Sequence, residues 1–293
     1  MATRVLPQIA NTSSPHVELA TRAPIVIGFE RTRQERSLRQ SLVERVRFNA
    51  MKTAGNVLSH LSTRPWHRPS IGPAIRAEIS RLLAPGDILI TRRQYAMTNF
   101  VFPSFWPHAT LYLGDAESLA AMGLREYEHV RRRWWRLVAS ATSLSSDDRS
   151  HTARVLEARK DGVHIRPLDS PMRSDALAIL RPQLEADDIA TALARGLRHE
   201  GKPYDFEFDF ARSDRLVCTE VVYRSYHGLG EIRFQLRRHA GRLALVADDL
   251  LRMALEGAGF DAIAVYLPLQ SQQLCRGAEA RRMLCDSLYS RPA

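Results

Sequence analysis

The stretch D-R-L-V-C-T-E-V-V-Y-R-S-Y-H-G, residues 214–228, places a cysteine where a short apolar run changes into a helical pattern. Leu216 and Val217 are typical of the end of a buried strand, and apolar or small residues then recur three or four positions apart. A helix is therefore predicted to begin at or near Cys218 and to stop at Gly228. Because a helix N-terminus favours negative charge, the pKa of a thiol there is expected to be lowered. Cys218 is a candidate nucleophile, with a buried structural cysteine as the alternative.

A nucleophilic thiol needs a base, and His108 is the histidine whose position suits that role. It stands first in a predicted strand within W-P-H-A-T-L-Y-L-G, residues 106–114. Alternation along this strand places His108, Thr110 and Tyr112 on one face. A strand-borne imidazole that faces a thiol at a helix N-terminus can take the thiol proton and return it to the leaving group. A structural histidine at the start of a strand is the alternative.

The third candidate is Glu157, which would orient the imidazole as the third member of a catalytic triad does. It lies in the middle of a predicted strand, V-L-E-A, residues 155–158. A carboxylate inside a strand is disfavoured unless it has a partner or faces water. A solvent-facing glutamate is the alternative, and His164 and His151 are further candidates for the orienting role.

Aromatic residues near these positions are candidates to line a substrate groove. Phe105 and Trp106 directly precede the histidine strand, Tyr112 lies on it, and Tyr223 lies on the cysteine helix. Packing in the core is the alternative for each of them. No HExxH motif, paired-cysteine spacing or Asp-rich loop occurs, so neither a metal nor another cofactor is expected.

Composition limits the class of protein. The 293 residues carry a formal charge of +10, from 42 Lys plus Arg against 32 Asp plus Glu, but the arginines are spread and accompany no nucleic-acid motif. The three cysteines, at 218, 275 and 285, are too few and too uneven for a disulfide framework, which favours reduced thiols. No segment has the length of a signal peptide or of a membrane span. We therefore expect a soluble, cytoplasmic protein; its oligomeric state is not predicted.

The order of the predicted elements indicates an α+β domain with a mainly antiparallel sheet. Residues 1–72 form an N-terminal extension, predicted to be partly disordered and then helical over 31–62, with a linker over 64–72. The domain is predicted to span 73–293, with a helical insertion at about 116–150 between two strands. The basic helix in the extension is a candidate surface for a protein partner or an anionic membrane. Predicted strands cover 87–91, 109–113, 153–158, 163–168, 177–180 and 262–267, and predicted helices cover 73–83, 117–139, 186–199, 218–227 and 247–257.

Five blocks in this chain resemble, in the same order, the YiiX/YebB-like proteins. These blocks are P-G-D-I-L-I-T-R (85–92), F-W-P-H-A-T-L-Y-L-G (105–114), V-L-E-A-R-K-D-G-V (155–163), K-P-Y-D-F-E-F-D-F (202–210) and L-V-C-T-E-V-V-Y (216–223). The YiiX/YebB-like proteins are a circularly permuted branch of the NlpC-type papain-like cysteine hydrolases, which also contains lecithin:retinol acyltransferase-like enzymes. The resemblance covers about residues 83–267.

The resemblance implies a permuted papain-like fold, in which the histidine strand precedes the cysteine helix and the sheet packs against that helix. It assigns Cys218 as nucleophile and His108 as base, and Glu157 falls in the block after the histidine strand. The implied activity is cleavage of an amide or ester through an acyl-thioester, on a peptide, amide or lipid-ester substrate, with acyl transfer as a variant. A non-catalytic scaffold that docks a partner or an anionic membrane through its basic helices is the alternative from another class.

Overall fold

A computed structural model of the chain describes residues 66–94, 104–138, 153–206, 208–239 and 242–289. The predicted helix over 31–62, His151 and residues 139–150 of the predicted insertion lie outside the described residues. Among those that are described, no helix combines the length and apolar character needed to cross a membrane.

A seven-stranded antiparallel sheet organises the described residues, with the strand order β4-β3-β2-β1-β5-β8-β9. Its strands are β1 (Ile88–Arg92), β2 (His108–Gly114), β3 (Arg154–Arg159), β4 (Gly162–Pro167), β5 (Ala176–Pro182), β8 (Phe260–Tyr266) and β9 (Cys275–Arg276). A separate hairpin pairs β6 (Arg237–His239) with β7 (Arg242–Ala244). The α+β class and the mainly antiparallel sheet predicted from the sequence are confirmed.

The helices lie between the strands in the sequence and cover both faces of the sheet. They are α1 (Pro73–Leu82), α2 (Ala116–Ala121), α3 (Glu128–Arg131), α4 (Trp134–Val138), α5 (Asp169–Met172), α6 (Ala186–Leu197), α7 (Cys218–Tyr226), α8 (Ala247–Glu256) and α9 (Gly277–Tyr289). The described part of the predicted insertion therefore consists of short helices. No periodicity predicted α5, and α9, which begins with Gly277, was not predicted either.

Alternation along the strands divides the core into two layers. Ile90 of β1 and Leu111 of β2 belong to the layer that contains α7, together with buried residues of α6, α8 and α9. Leu89 and Tyr112, from the same two strands, belong to the opposite layer, which contains Ile79 of α1 and residues of α5. Side chains on neighbouring positions of one strand therefore meet different helices.

The close approach of α6 to α7 and β2 requires glycine at position 196. A Cβ there would lie 2.7 Å from Ser225 Oγ and 2.9 Å from Leu111 Cδ2, both too short for a real contact. At the other end of α7, the Tyr226 hydroxyl donates a hydrogen bond to the Gly86 carbonyl at 2.5 Å. These contacts fix the long axis of α7 against the sheet, and with it the position of its first residue.

Residues just before α1 are bound to the domain. The buried Asp175 carboxylate accepts hydrogen bonds from the Ser70 backbone N–H at 2.9 Å and from His67 Nε2 at 2.6 Å. Ile71 is only 2% exposed, and the Tyr266 hydroxyl donates to the Ser70 carbonyl at 3.1 Å. The domain start at residue 73 stays a prediction, and residues 67–71 contribute contacts to the domain beyond it.

A chain that begins at residue 73 is expected to fold but to be about 2–4 kcal/mol less stable than one that begins at residue 66. It loses the buried side chain of Ile71 and leaves the Asp175 carboxylate without the donors of Ser70 and His67. Urea unfolding of the two chains measures the difference. Equal free energies of unfolding would show that this segment adds nothing to the domain.

Candidate active site

Cys218 is the first residue of α7, and Val217 before it has an extended backbone. Because valine has no polar side chain to cap the helix, the first backbone N–H groups of α7 are left for another acceptor. Hydrogen bonds from the backbone of Thr219 and of Ala109, in β2, reach the Cys218 sulfur. Cys218 is buried, with 7% of the residue exposed.

His108 begins β2, directly beside the thiol. Its register partner is Thr91 of β1. The Nε2 atom of His108 lies 2.8 Å from Glu157 Oε1 and 3.3 Å from Thr110 Oγ1, so the other ring nitrogen, Nδ1, is left for the hydrogen bond with Cys218. A strand residue has thus been brought to the N-terminus of a helix more than one hundred residues further along the chain.

Glu157 lies in β3 with only 1% of its side chain exposed. Its second oxygen, Oε2, accepts a hydrogen bond from Ser170 Oγ of α5 at 2.6 Å. Arg166 Nε lies 3.4 Å from Oε2 and Arg159 Nε lies 3.6 Å from Oε1. A buried carboxylate with two hydrogen bonds and two nearby guanidinium groups is stabilised in its charged form.

The pKa values of the Glu157 carboxyl and the Cys218 thiol reflect this arrangement. Burial by itself raises the pKa of Glu157, but the hydrogen bond and charge of His108, with Arg159 and Ser170, outweigh it and lower the pKa to about 2. Burial likewise opposes ionisation of Cys218, but the hydrogen bond and charge of His108 and the two backbone donors outweigh it, so the pKa of the thiol is lowered.

The pKa of His108 moves in the opposite direction. Burial disfavours the imidazolium, but hydrogen bonds and negative charge from Cys218 and then from Glu157 outweigh it and raise the pKa to about 9. An ionised carboxylate can only accept hydrogen bonds. Nε2 of His108 therefore carries a proton and donates a hydrogen bond to Glu157. The arrangement can hold a thiolate next to an imidazolium at neutral pH.

The other candidate residues lie elsewhere. Trp106 is completely buried and donates from Nε1 to Ser287 Oγ of α9 at 2.9 Å. Tyr112 is 7% exposed and packs in the core layer opposite α7. The structure therefore places both rings in the core rather than on a groove. His164, the alternative orienting residue, bonds to the Asp161 carbonyl at 2.9 Å instead of to His108.

Phe105 and Tyr223 are half-buried. The guanidinium of Arg92 lies 4.5 Å above the Phe105 ring and donates to the Phe105 carbonyl at 2.8 Å. Tyr223 stacks on His227 at 4.7 Å and packs edge-on against Phe210. Both rings therefore have partners within the protein.

Two residues near the site, Ser170 and Tyr204, were not predicted from the sequence to belong to it. Ser170 belongs to a single turn of helix, and no local pattern marks it. Tyr204 is half-buried, and its pKa is raised well above the ordinary tyrosine value by burial and by the negative charges of Cys218 and Asp205. Tyr204 therefore lies near the thiol and keeps its proton. Its sequence signal was the alternation of aromatic and acidic residues over 204–210, which points to no role by itself.

Comparison with known proteins gives one match. The model of a family described as permuted papain-like amidase enzyme, YaeF/YiiX, C92 family, matches residues 82–280, which is more than half of the chain. The matched range contains Cys218, His108 and Glu157. No curated protein and no solved structure matches the chain.

Proposed function

The chain belongs to the YaeF/YiiX, C92 family of permuted papain-like amidase enzymes, and we propose that it hydrolyses an amide bond with Cys218 as nucleophile, His108 as acid and base, and Glu157 as the orienting residue. The observation that carries this proposal is the buried Glu157 carboxylate, 2.8 Å from His108 Nε2, together with the hydrogen bond between His108 and the Cys218 thiol. A docking protein would have no need for a buried carboxylate held against an imidazole beside a thiol.

The proposed reaction has two halves. The Cys218 thiolate attacks the carbonyl carbon, and the C–N bond breaks as the His108 imidazolium gives its proton to the leaving amine. The acyl group is then bound to Cys218 as a thioester. Neutral His108 next takes a proton from water, the resulting hydroxide attacks the thioester, and the C–S bond breaks to release the acid and restore the thiolate. An ester would react through the same steps, with an alcohol as leaving group.

The proposal requires that Cys218 be a thiolate near neutral pH. We expect the ultraviolet difference titration between wild type and Cys218→Ser to have its midpoint below the ordinary cysteine pKa of about 8.5. The cause is the imidazolium of His108 together with the backbone donors of Ala109 and Thr219. Alkylation of the exposed Cys285 in the same protein provides the internal comparison. A midpoint at or above about 8.5 would leave Cys218 as a structural residue.

The orienting role of Glu157 can be tested together with Ser170. We expect Glu157→Gln to lower kcat by about 10- to 100-fold, less than the loss of the base itself, because an amide keeps the shape but not the charge that aligns the imidazolium. Ser170→Ala should lower kcat by about 10-fold or less, because Ser170 fixes the second carboxylate oxygen.

A double-mutant cycle separates this role from a purely structural one. If Ser170 acts through Glu157, adding Ser170→Ala to Glu157→Gln should cause no further loss of kcat, whereas independent structural effects would add. Ser271→Ala, in the loop before β9, is the matched control and should keep wild-type kcat. Full activity in Glu157→Gln would remove Glu157 from the mechanism.

A further inference from the structure

A segment between α6 and α7 is attached to the chain just before the nucleophile. Tyr204 forms a parallel β-bridge with Leu216, two residues before Cys218. Two hydrogen bonds hold this bridge, from the Leu216 N–H to the Pro203 carbonyl at 3.0 Å and from the Asp205 N–H to the Leu216 carbonyl at 3.2 Å. The position of Tyr204 is therefore fixed relative to the start of α7.

Three aromatic side chains of this segment form an aromatic cluster, which we define as Tyr204, Phe206 and Phe208. The ring of Tyr204 lies edge-to-face with Phe206 at 5.0 Å and with Phe208 at 6.3 Å. Phe206 is buried, whereas Tyr204 and Phe208 are half-buried. Part of the aromatic surface beside the thiol is thus open to a ligand.

The aromatic cluster is held rigidly. Phe208 has a φ of +54°, the single positive φ among the non-glycine residues that the structure describes, and such a backbone is strained. The Asp205 carboxylate accepts the Asp209 N–H at 2.6 Å, and Arg224 of α7 donates to the Arg212 carbonyl at 2.6 Å. Backbone strain that surrounding hydrogen bonds maintain is typical of ligand clamps.

The cluster lies beside the stretch of chain that leads into the nucleophile. The leaving group must lie against His108, because His108 protonates it. The negative charges that raise the pKa of Tyr204 are those of Cys218 and Asp205. Together with the bridge between Tyr204 and Leu216, two residues before Cys218, this places a group that contacts the aromatic cluster near the sulfur that holds the acyl group.

We propose that the aromatic cluster is the subsite for an apolar acyl group, either an alkyl chain or an aromatic side chain, so that the substrate is an amide whose acyl part is apolar. Burial of apolar surface against these rings stabilises the bound substrate in proportion to the area that is buried. A rigid subsite loses little conformational entropy when it binds. This inference rests on the proposed function, and measuring alkylation separately from turnover distinguishes the failure of one from the failure of the other.

The first test is independent of turnover and compares the alkylation of Cys218 by iodoacetamide with that by N-hexyl- and N-benzyl-iodoacetamide. In wild type the apolar reagents are expected to label Cys218 at least about 10-fold faster than iodoacetamide at low reagent concentration. Phe208→Gly should reduce this preference to less than about 3-fold, because it removes the ring while glycine accepts the positive φ without strain. Phe208→Leu, which keeps an apolar side chain, should retain part of the preference.

The second test uses the 4-nitroanilides of acetic, hexanoic and phenylacetic acid, which share one leaving group. Wild type should show kcat/KM values at least about 10-fold higher for the two apolar acyl groups, and Phe208→Gly should lose that advantage. Tyr289→Ala, which removes an 84% exposed ring of α9, is the matched control and should keep it. A higher value for hexanoyl or for phenylacetyl tells which of the two apolar groups the subsite prefers.

The outcomes separate the two claims. If no nitroanilide is cleaved but the alkylation preference depends on Phe208, the subsite stands and the proposed amide hydrolysis fails for these substrates. If all three are cleaved at similar kcat/KM and the three reagents label Cys218 at similar rates, the hydrolase stands and the apolar subsite is overturned. A preference that Phe208→Gly leaves intact also overturns it.

Discussion

Cys218→Ala is expected to abolish amide hydrolysis, with a loss of about 10⁴-fold or more in kcat/KM, because no other group in the site can form the acyl-thioester. The protein should remain folded, since the change removes a single sulfur atom from one buried side chain. Release of 4-nitroaniline measures the rate, and thermal unfolding measures stability.

The two other cysteines supply matched controls for this change. Cys275→Ala removes a buried thiol and Cys285→Ala an exposed one, and both variants should keep the wild-type rate on the same substrate. Near-wild-type hydrolysis by Cys218→Ala would disprove the assignment of the nucleophile. An unfolded Cys218→Ala variant would move the test to Cys218→Ser, which keeps the volume of the side chain.

His108→Ala is expected to lower kcat/KM by about 10³-fold or more and to raise the pKa of the Cys218 thiol towards its ordinary value. The imidazolium supplies both the hydrogen bond and the positive charge that most favour the thiolate. Without it, burial of the sulfur opposes ionisation with less compensation. The rate of Cys218 alkylation as a function of pH measures the pKa in both proteins.

The same base sets the alkaline limit of wild-type activity. Because the pKa of His108 is raised to about 9, the imidazolium persists at neutral pH and loses its proton only as the pH rises through that value. We therefore expect kcat/KM to fall above about pH 9. The control is His129→Ala, which removes an imidazole that is hydrogen-bonded to the Ala194 carbonyl at 2.8 Å. It should change neither the pH dependence of kcat/KM nor that of Cys218 alkylation. If the pKa of the Cys218 thiol were unchanged in His108→Ala, His108 would not be the group that stabilises the thiolate.

Local sequence patterns predicted most of the elements that carry the site. The apolar period after Cys218 predicted a helix over 218–227, and the structure has Cys218–Tyr226. The alternation that starts at His108 predicted a strand over 109–113, and the structure has His108–Gly114. These predictions succeed because a helix or strand with one buried face repeats its apolar residues at the period of its backbone.

Pairing between strands decided what the sequence left open at Glu157. The sequence allowed either a partner or solvent for this carboxylate. The structure pairs β3 with β2, with Leu111 opposite Leu156 and Tyr112 opposite Val155, which places Glu157 on the same face as His108. Period-two alternation tells which residues share a face of one strand, but register and strand order tell which residues of two strands meet.

Local sequence likewise could not predict the surroundings of three other residues near the site, Trp106, Ser170 and Tyr204. An aromatic residue beside a candidate base could line a groove or fill the core, and α9, near the end of the chain, packs over Trp106 and buries it. Ser170 and Tyr204 reach the site from a short turn and an irregular segment, where no backbone period marks their direction. The sequence by itself determined most of the elements, the order of His108 and Cys218, and the family. Only the tertiary structure decided which polar and aromatic groups surround them, because those contacts join residues that are far apart in the chain and depend on how the elements pack.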